Sequence, residues 1–298
     1  MMRSMTRLPP RPWDTDRESR DRAYSPSSCV DDINVYLRAY AARSEQARTT
    51  LTWTDRGYGD TSAERLHLFP AAPASGGVGA PLHVYVHGGY WQELGPADSS
   101  FAAADFVSRG AAFAALGYGL APAHSLDEIV AMVRRGVRWL HDHAAELGID
   151  PARIFLSGSS AGAHLVAMCL LDGWLPAPLR SSDVVRGAAL LSGVFELEPL
   201  RRTYIGESIG LTAAEAARNS PVRHLPDRLP PLIVARGDNE TTAFADQQDL
   251  IVAVLRGVGA TVTELVVSGR NHFDLPFDLG DPESRLGRAT LASMGLMG

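Results

Sequence analysis

Ser160 stands at the centre of Gly158-Ser159-Ser160-Ala161-Gly162, directly after the apolar run Ile154-Phe155-Leu156. A short buried strand that breaks into Gly-x-Ser-x-Gly and then enters a helix, here His164 to Leu171, holds its serine on a sharp, strained turn with the hydroxyl presented outward. The glycines at either side let strand and helix approach without side chains between them. The positive end of the helix lies beside the hydroxyl. The chemistry such a turn performs is acyl transfer through a serine ester. A Gly-Ser-rich turn also describes an ordinary loop, so the reading depends on oxyanion donors, a base and an acid elsewhere in the chain.

The donors are supplied by His87-Gly88-Gly89-Tyr90-Trp91, which follows the apolar run Leu82-His83-Val84-Tyr85-Val86. Gly88 and Gly89 present bare backbone N–H groups which, with the N–H of Ala161, form an expected oxyanion hole. Donors of this kind are each worth about 3–4 kcal/mol in a transition state. The ring of His87 is expected to brace the loop rather than react. His272, in Gly269-Arg270-Asn271-His272-Phe273-Asp274 after the last apolar run, is the expected base. Between nucleophile and base the run Leu232-Ile233-Val234-Ala235 is followed by Arg236-Gly237-Asp238-Asn239-Glu240, which offers two carboxylates. The acid of this arrangement commonly lies three residues past the glycine that ends its strand. That selects Glu240, with Asp238 as the alternative that would hydrogen-bond the loop. Tyr90 and Trp91 flank the oxyanion loop and are candidates to pack on a flat aromatic substrate; a core anchor under the loop is the competing role for Trp91.

These groups need elements to position them. Leu82–Val86, Ala111–Leu116, Ile154–Leu156, Gly187–Leu191, Leu232–Ala235 and Thr263–Val267 read as short continuous apolar strands. Helical patterns over Phe101–Ser108, Leu126–Glu146, Ala161–Leu171 and Phe244–Arg256 lie between many of them. This alternation predicts an α/β protein whose mostly parallel central sheet carries helices on both faces. Upstream, Val30–Arg48 has a helical face, and Leu51–Trp53 and Leu66–Phe69 read as hairpin strands about Gly57-Tyr58-Gly59-Asp60. Residues 1–25, polar and proline-punctuated, are expected to be an extended arm, and Ala74–Ala80 a flexible surface connection. Residues 26–298 form one expected domain, in which about 195–228 interrupt the alternation as a cap-like insertion over the active site.

With these motifs in order, the chain resembles the kynurenine formamidases (arylformamidases) of the α/β-hydrolase superfamily, from roughly Tyr24 to Leu275. Tyr24-Ser25-Pro26-Ser27, the His87–Gln92 loop, Tyr118-Gly119-Leu120-Ala121-Pro122, Ser160–Leu165, Leu191-Ser192-Gly193-Val194, Asn219-Ser220-Pro221 and Asn271-His272-Phe273 carry the likeness. The resemblance implies the α/β-hydrolase fold and hydrolysis of an aryl N-formyl amide such as N-formylkynurenine, with Ser160 as nucleophile, His272 as base and the Glu240 region as acid. Two departures bear on substrate: Ser159 stands where the family often has histidine, and Glu240 where its best-known members have aspartate. A carboxylesterase or tailoring amidase for small acyl groups keeps the same mechanism, and a non-catalytic binding protein on the same fold is the third alternative.

The resemblance implies a small-molecule aromatic amide or ester as the partner. A net charge of −6 argues against nucleic acid or an anionic membrane. The two cysteines, Cys29 and Cys169, have no metal-type spacing, so neither a metal nor an organic cofactor is expected. With no apolar signal or spanning segment evident, a soluble cytoplasmic protein is the expectation.

Overall fold

The computed structural model describes residues 16–71 and 79–297. Eight strands form one sheet: β1 (Thr54–Gly57), β2 (Arg65–Phe69), β3 (Ala80–Val86), β4 (Ala112–Leu116), β5 (Ile149–Ser159), β6 (Val185–Leu191), β7 (Leu232–Asn239) and β8 (Val262–Asn271). The helices are α1 (Arg17–Ala23), α2 (Ile33–Thr50), α3 (Ala103–Val107), α4 (Leu126–Asp142), α5 (Ala161–Cys169), α6 (Ser181–Val184), α7 (Glu198–Arg201), α8 (Tyr204–Ser208), α9 (Ala213–Arg218), α10 (Thr242–Gly257) and α11 (Arg285–Ser293).

Strand order is β1-β2-β4-β3-β5-β6-β7-β8. β1 and β2 join the sheet antiparallel, and every pairing from β4 to β8 is parallel. Parallel strands must bury both faces, which explains their unbroken apolar sequences. All seven residues of β3 are buried. Its Leu82, Val84 and Val86 enter a core with residues of α4, α5 and α10, while Tyr85 points to the opposite core, which holds residues of α2, α3 and α11. The same alternation splits Ala112, Ala114 and Leu116 from Phe113 and Ala115 on β4.

Local signals set several element ends. Ser125 and Glu128 form a reciprocal capping box that starts α4. From there Ile129, Val133, Val137 and Leu140 repeat at helical spacing and are wholly buried. The insertion between β6 and β7 folds into short α7, α8 and α9, of which α9 carries its own capping box from Thr212 and Glu215. Gln247 of α10, buried, fixes this segment. Its side-chain oxygen accepts from the amides of Phe195 (2.7 Å) and Glu196 (2.9 Å), and its Nε2 donates to the Glu196 carbonyl (2.9 Å) and the Tyr24 hydroxyl (3.0 Å).

The N-terminal arm differs from expectation. Residues 17–23 are helical, with Asp16 accepting from the Ser19 amide at the cap, because a side-chain cap and intrahelical charges stabilise a turn that composition alone reads as extended. Residues 1–15 of the arm, and 74–78 of the connection expected to be flexible, lie outside the described residues; Ala80 already belongs to β3.

Candidate active site

β5 delivers the nucleophile candidate. At its end Ser160 adopts φ 58° and ψ −120° and caps α5, all nine residues of which are buried. A left-handed conformation at a non-glycine residue costs on the order of 1–3 kcal/mol and persists only where the surroundings enforce it. Here the Ser160 amide donates to the Leu191 carbonyl at the end of β6 (2.8 Å). Gly162 lets the helix close on β3, since a Cβ there would lie 2.0 Å from the Val86 carbonyl oxygen.

The loop after β3 is wound through the same left-handed region. Gly89 has φ +88°, Tyr90 48°, Trp91 60° and Leu94 70°. The Gly89 carbonyl accepts from the amides of Gln92 (2.9 Å) and Glu93 (3.1 Å), while the amides of Gly88 and Gly89 donate to no group among the described residues. His87 braces this loop: its ring stacks on Tyr118 with centroids 4.1 Å apart, and Nδ1 donates to the Gly88 carbonyl (3.0 Å). Tyr118 donates its hydroxyl to the His87 carbonyl (2.8 Å). Burial holds the His87 ring neutral, with its pKa pulled down to about 4.

His272 and Glu240 meet across the ends of β8 and β7. The imidazole Nδ1 lies 2.9 Å from Glu240 Oε2, and both side chains are buried, at 5% and 0% exposure. Phe244 packs against the ring at 4.4 Å between centroids. Asn271 shapes the turn by accepting from the Phe273 amide (2.9 Å), while its own amide donates to Asp274 (2.7 Å). Asp238 instead faces away from the histidine. Its carboxylate accepts from Ser268 Oγ and the Gly269 amide, each at 2.9 Å, tying β7 to β8.

Ser160, His272, Gly88, Gly89 and Tyr90 line one cavity of about 400 Å³. Ala161, wholly buried, lies immediately behind Ser160 at the start of α5. Much of the remaining wall is apolar or phenolic, from Pro26, Ile33 and Leu37 near the N-terminus, Tyr204 and Ile205 of α8, and Tyr40, Tyr85 and Phe273, while Gln92, Glu93 and Ser159 add polar groups. Burial raises the phenols of Tyr40 and Tyr90 well above their usual range, and Tyr40 donates its hydroxyl to the Phe273 carbonyl. Tyr90 donates its hydroxyl to the Tyr24 carbonyl at 2.5 Å.

Trp91 is not in this wall, contrary to a substrate-contact role. It is fully buried in the core, edge-on to His164 at 5.1 Å. A large indole turned inward by positive φ anchors the strained loop, the competing role noted above. The sequence reading missed the N-terminal wall, whose one trace was the Tyr24-Ser25-Pro26-Ser27 segment. It also missed Ser192, whose hydroxyl donates to Glu240 Oε1 at 2.6 Å. Among the described residues no group of three or more His, Cys, Asp or Glu side chains is arranged to hold a metal ion, and no helix is long and apolar enough to cross a membrane.

Residues 71–174 match the BD-FAE family. A structure from Silicibacter sp. tm1040, provisionally described as a thioesterase, is 30% identical with a TM-score of 0.78, covering 90% of this chain and 97% of that one. The thermophilic esterase Est2 of Thermogutta terrifontis, solved with propionate bound, is 25% identical with a TM-score of 0.66 over 82% of this chain and 95% of its own. The sheet order and these neighbours establish the α/β-hydrolase fold. The kynurenine formamidase of Danio rerio is 33% identical over 279 residues, 91% of this chain and 92% of the relative. On that extent of identity, the chain belongs to the kynurenine formamidase family.

Proposed function

We propose that the protein hydrolyses aryl N-formyl amides of the N-formylkynurenine kind through a formyl ester on Ser160. The observation that carries this reading is the sharing of one 400 Å³ cavity by Ser160, His272 and the Gly88-Gly89 loop, in a chain of this family. A cavity of that size suits a single-ring substrate, and a formyl group needs little room beside the nucleophile.

The Ser160 hydroxyl attacks the formyl carbon while His272 Nε2 takes its proton. Glu240 holds Nδ1–H, fixing the tautomer and stabilising the imidazolium. The amides of Gly88, Gly89 and Ala161 receive the developing oxyanion. When the tetrahedral intermediate collapses, the C–N bond breaks and the imidazolium returns the proton to the departing arylamine nitrogen. Water, deprotonated in turn by His272, then attacks the formyl ester and releases formate and free Ser160.

A carboxylesterase uses the same groups but breaks a C–O bond and protonates a departing oxygen, and the likeness to Est2 with propionate bound favours it as the second reading. The test compares kcat/KM for N-formylkynurenine with that for aryl acetates. Preference for the formamide supports the proposal, and an ester preference of several orders of magnitude overturns it in favour of the esterase. Ser160→Ala is expected to abolish both activities.

A further inference from the structure

Ser192 ends the Leu191-Ser192 turn after β6, and nothing in the reaction above uses it. Its backbone is left-handed at φ 48°, one of five such non-glycine residues among those described, and its side chain is buried. Its own amide donates to the Ala235 carbonyl of β7 (2.8 Å), next to the point where the Ser160 amide donates to the Leu191 carbonyl. The Leu191–Ser192 peptide unit therefore links the end of the nucleophile's strand to the acid's strand. A serine holding a conformation that glycine would adopt without strain invites a functional account of its hydroxyl.

That hydroxyl donates to Glu240 Oε1 at 2.6 Å, and the Gly237 amide donates to the same oxygen at 2.7 Å. Two donors on Oε1 leave Oε2 to face His272 Nδ1. We infer that Ser192 is the positioning residue for the triad acid, clamping one carboxylate oxygen so that the other is presented to the imidazole. A glutamate has one more rotatable bond than an aspartate, so its carboxylate needs a second fixed point before its direction is defined. Gly237 supplies a donor from the acid's own loop, and Ser192 supplies the one from across the sheet. The inference rests on the assignment of Glu240 as the acid.

The test measures kcat and KM for Ser192→Ala, Ser192→Gly, Glu240→Gln and the Ser192→Gly/Glu240→Gln pair, with whichever aryl formamide or aryl acetate the enzyme turns over. Glycine removes the hydroxyl while relieving the positive φ, so a fall in kcat with this variant does not come from backbone strain. Both single Ser192 variants are expected to lower kcat roughly ten- to hundredfold with KM within about twofold, in the range by which an oriented general base assists. In the Glu240→Gln background, Ser192→Gly is expected to cost nothing further, because the group it positions has already lost its charge. An unchanged kcat in Ser192→Gly overturns the inference, as do losses that multiply in the double variant. A wild-type rate in Glu240→Gln would instead remove the acid assignment beneath it.

Discussion

Ser160, Gly89, Tyr90, Trp91 and Ser192 all sit at positive φ, and four of these five carry a side chain that disfavours it. They cluster at the strand ends that carry the proposed nucleophile, the proposed oxyanion loop and the proposed clamp on the acid, where backbone direction matters more than conformational comfort. The division of labour between the two carboxylates of the β7 loop follows from what each one touches. Glu240→Gln is expected to lower kcat by at least a hundredfold, because it replaces the carboxylate that orients and stabilises the charged imidazole. Asp238→Asn, which alters only the tie to Ser268 and Gly269, is expected to stay within about threefold in kcat and to cost roughly 1 kcal/mol of stability. Steady-state kinetics of the two variants checks this, and the reverse order would move the acid to Asp238. Three-residue spacing from Gly237 was enough to favour Glu240 in the sequence; the contact with Ser192 was not legible, because that partner lies 48 residues away.

At the scale of elements, the cavity is closed by parts that no local motif announces as belonging together. Helix α1, the turn that follows it and α8 meet through Arg17–Glu207 (2.5 Å), the Tyr204 amide on Asp21 (2.9 Å) and the Ser25–Tyr204 hydroxyl pair (3.1 Å). Gln247 links Tyr24 to the start of the insertion with four hydrogen bonds from one buried amide. Gln247→Ala strands buried amides of Phe195 and Glu196, so a loss of roughly 2–4 kcal/mol in stability is expected. It also releases Tyr24 and the segment leading to α8, so KM should rise severalfold with a smaller change in kcat. Thermal melts and kinetics on the same preparation check both parts; an unaltered Tm would show that the amide contributes little. Strand β1, polar and exposed, lies just beyond the strand expected over Leu51–Trp53, whereas β2 to β8 were legible from apolar runs and α2, α3, α4, α5 and α10 from periodicity. The short helices of the insertion were not, because four- to six-residue helices have too few turns to show a period.

For the whole molecule, three fully buried imidazoles set the acid limb of stability. Desolvation pulls His83 down to about 3, and His87 and His164 to about 4, from an unperturbed 6.5. His83 has contacts at both nitrogens, with Met294 sulfur and the Ser157 hydroxyl, and His87 and His164 each have one, such as His164 Nε2 on the Asn219 carbonyl (2.7 Å). Below pH 6.5 the unfolded chain binds protons at these sites that the folded chain refuses. Stability therefore falls as pH drops towards 4, at about 1.4 kcal/mol per pH unit per ring. Asp105 and Asp274, raised chiefly by burial, act in the opposite sense, adding stability as pH falls towards the ordinary carboxylate range. A marked fall in Tm between pH 7 and pH 5 is expected, lessened in a His83→Gln variant; a flat profile would contradict the burial of these rings.

The sequence by itself determined the types and order of the proposed reacting groups: a serine on a strand-to-helix turn, a glycine pair before it, then carboxylates and a histidine after successive strands. Those are local or ordinal properties, carried by a few adjacent residues and by the alternation of apolar runs. Tertiary structure alone decided which groups touch. The β7–β8 register shifts between Gly237 and Asn239, bringing Asn239 opposite Asn271 and so Glu240 beside His272. The turn of Trp91 into the core and the reach of Ser192 across to Glu240 likewise depend on how strands and loops stack in space. Pairing register and side-chain direction are set by contacts between residues far apart in the chain, which no spacing along it records.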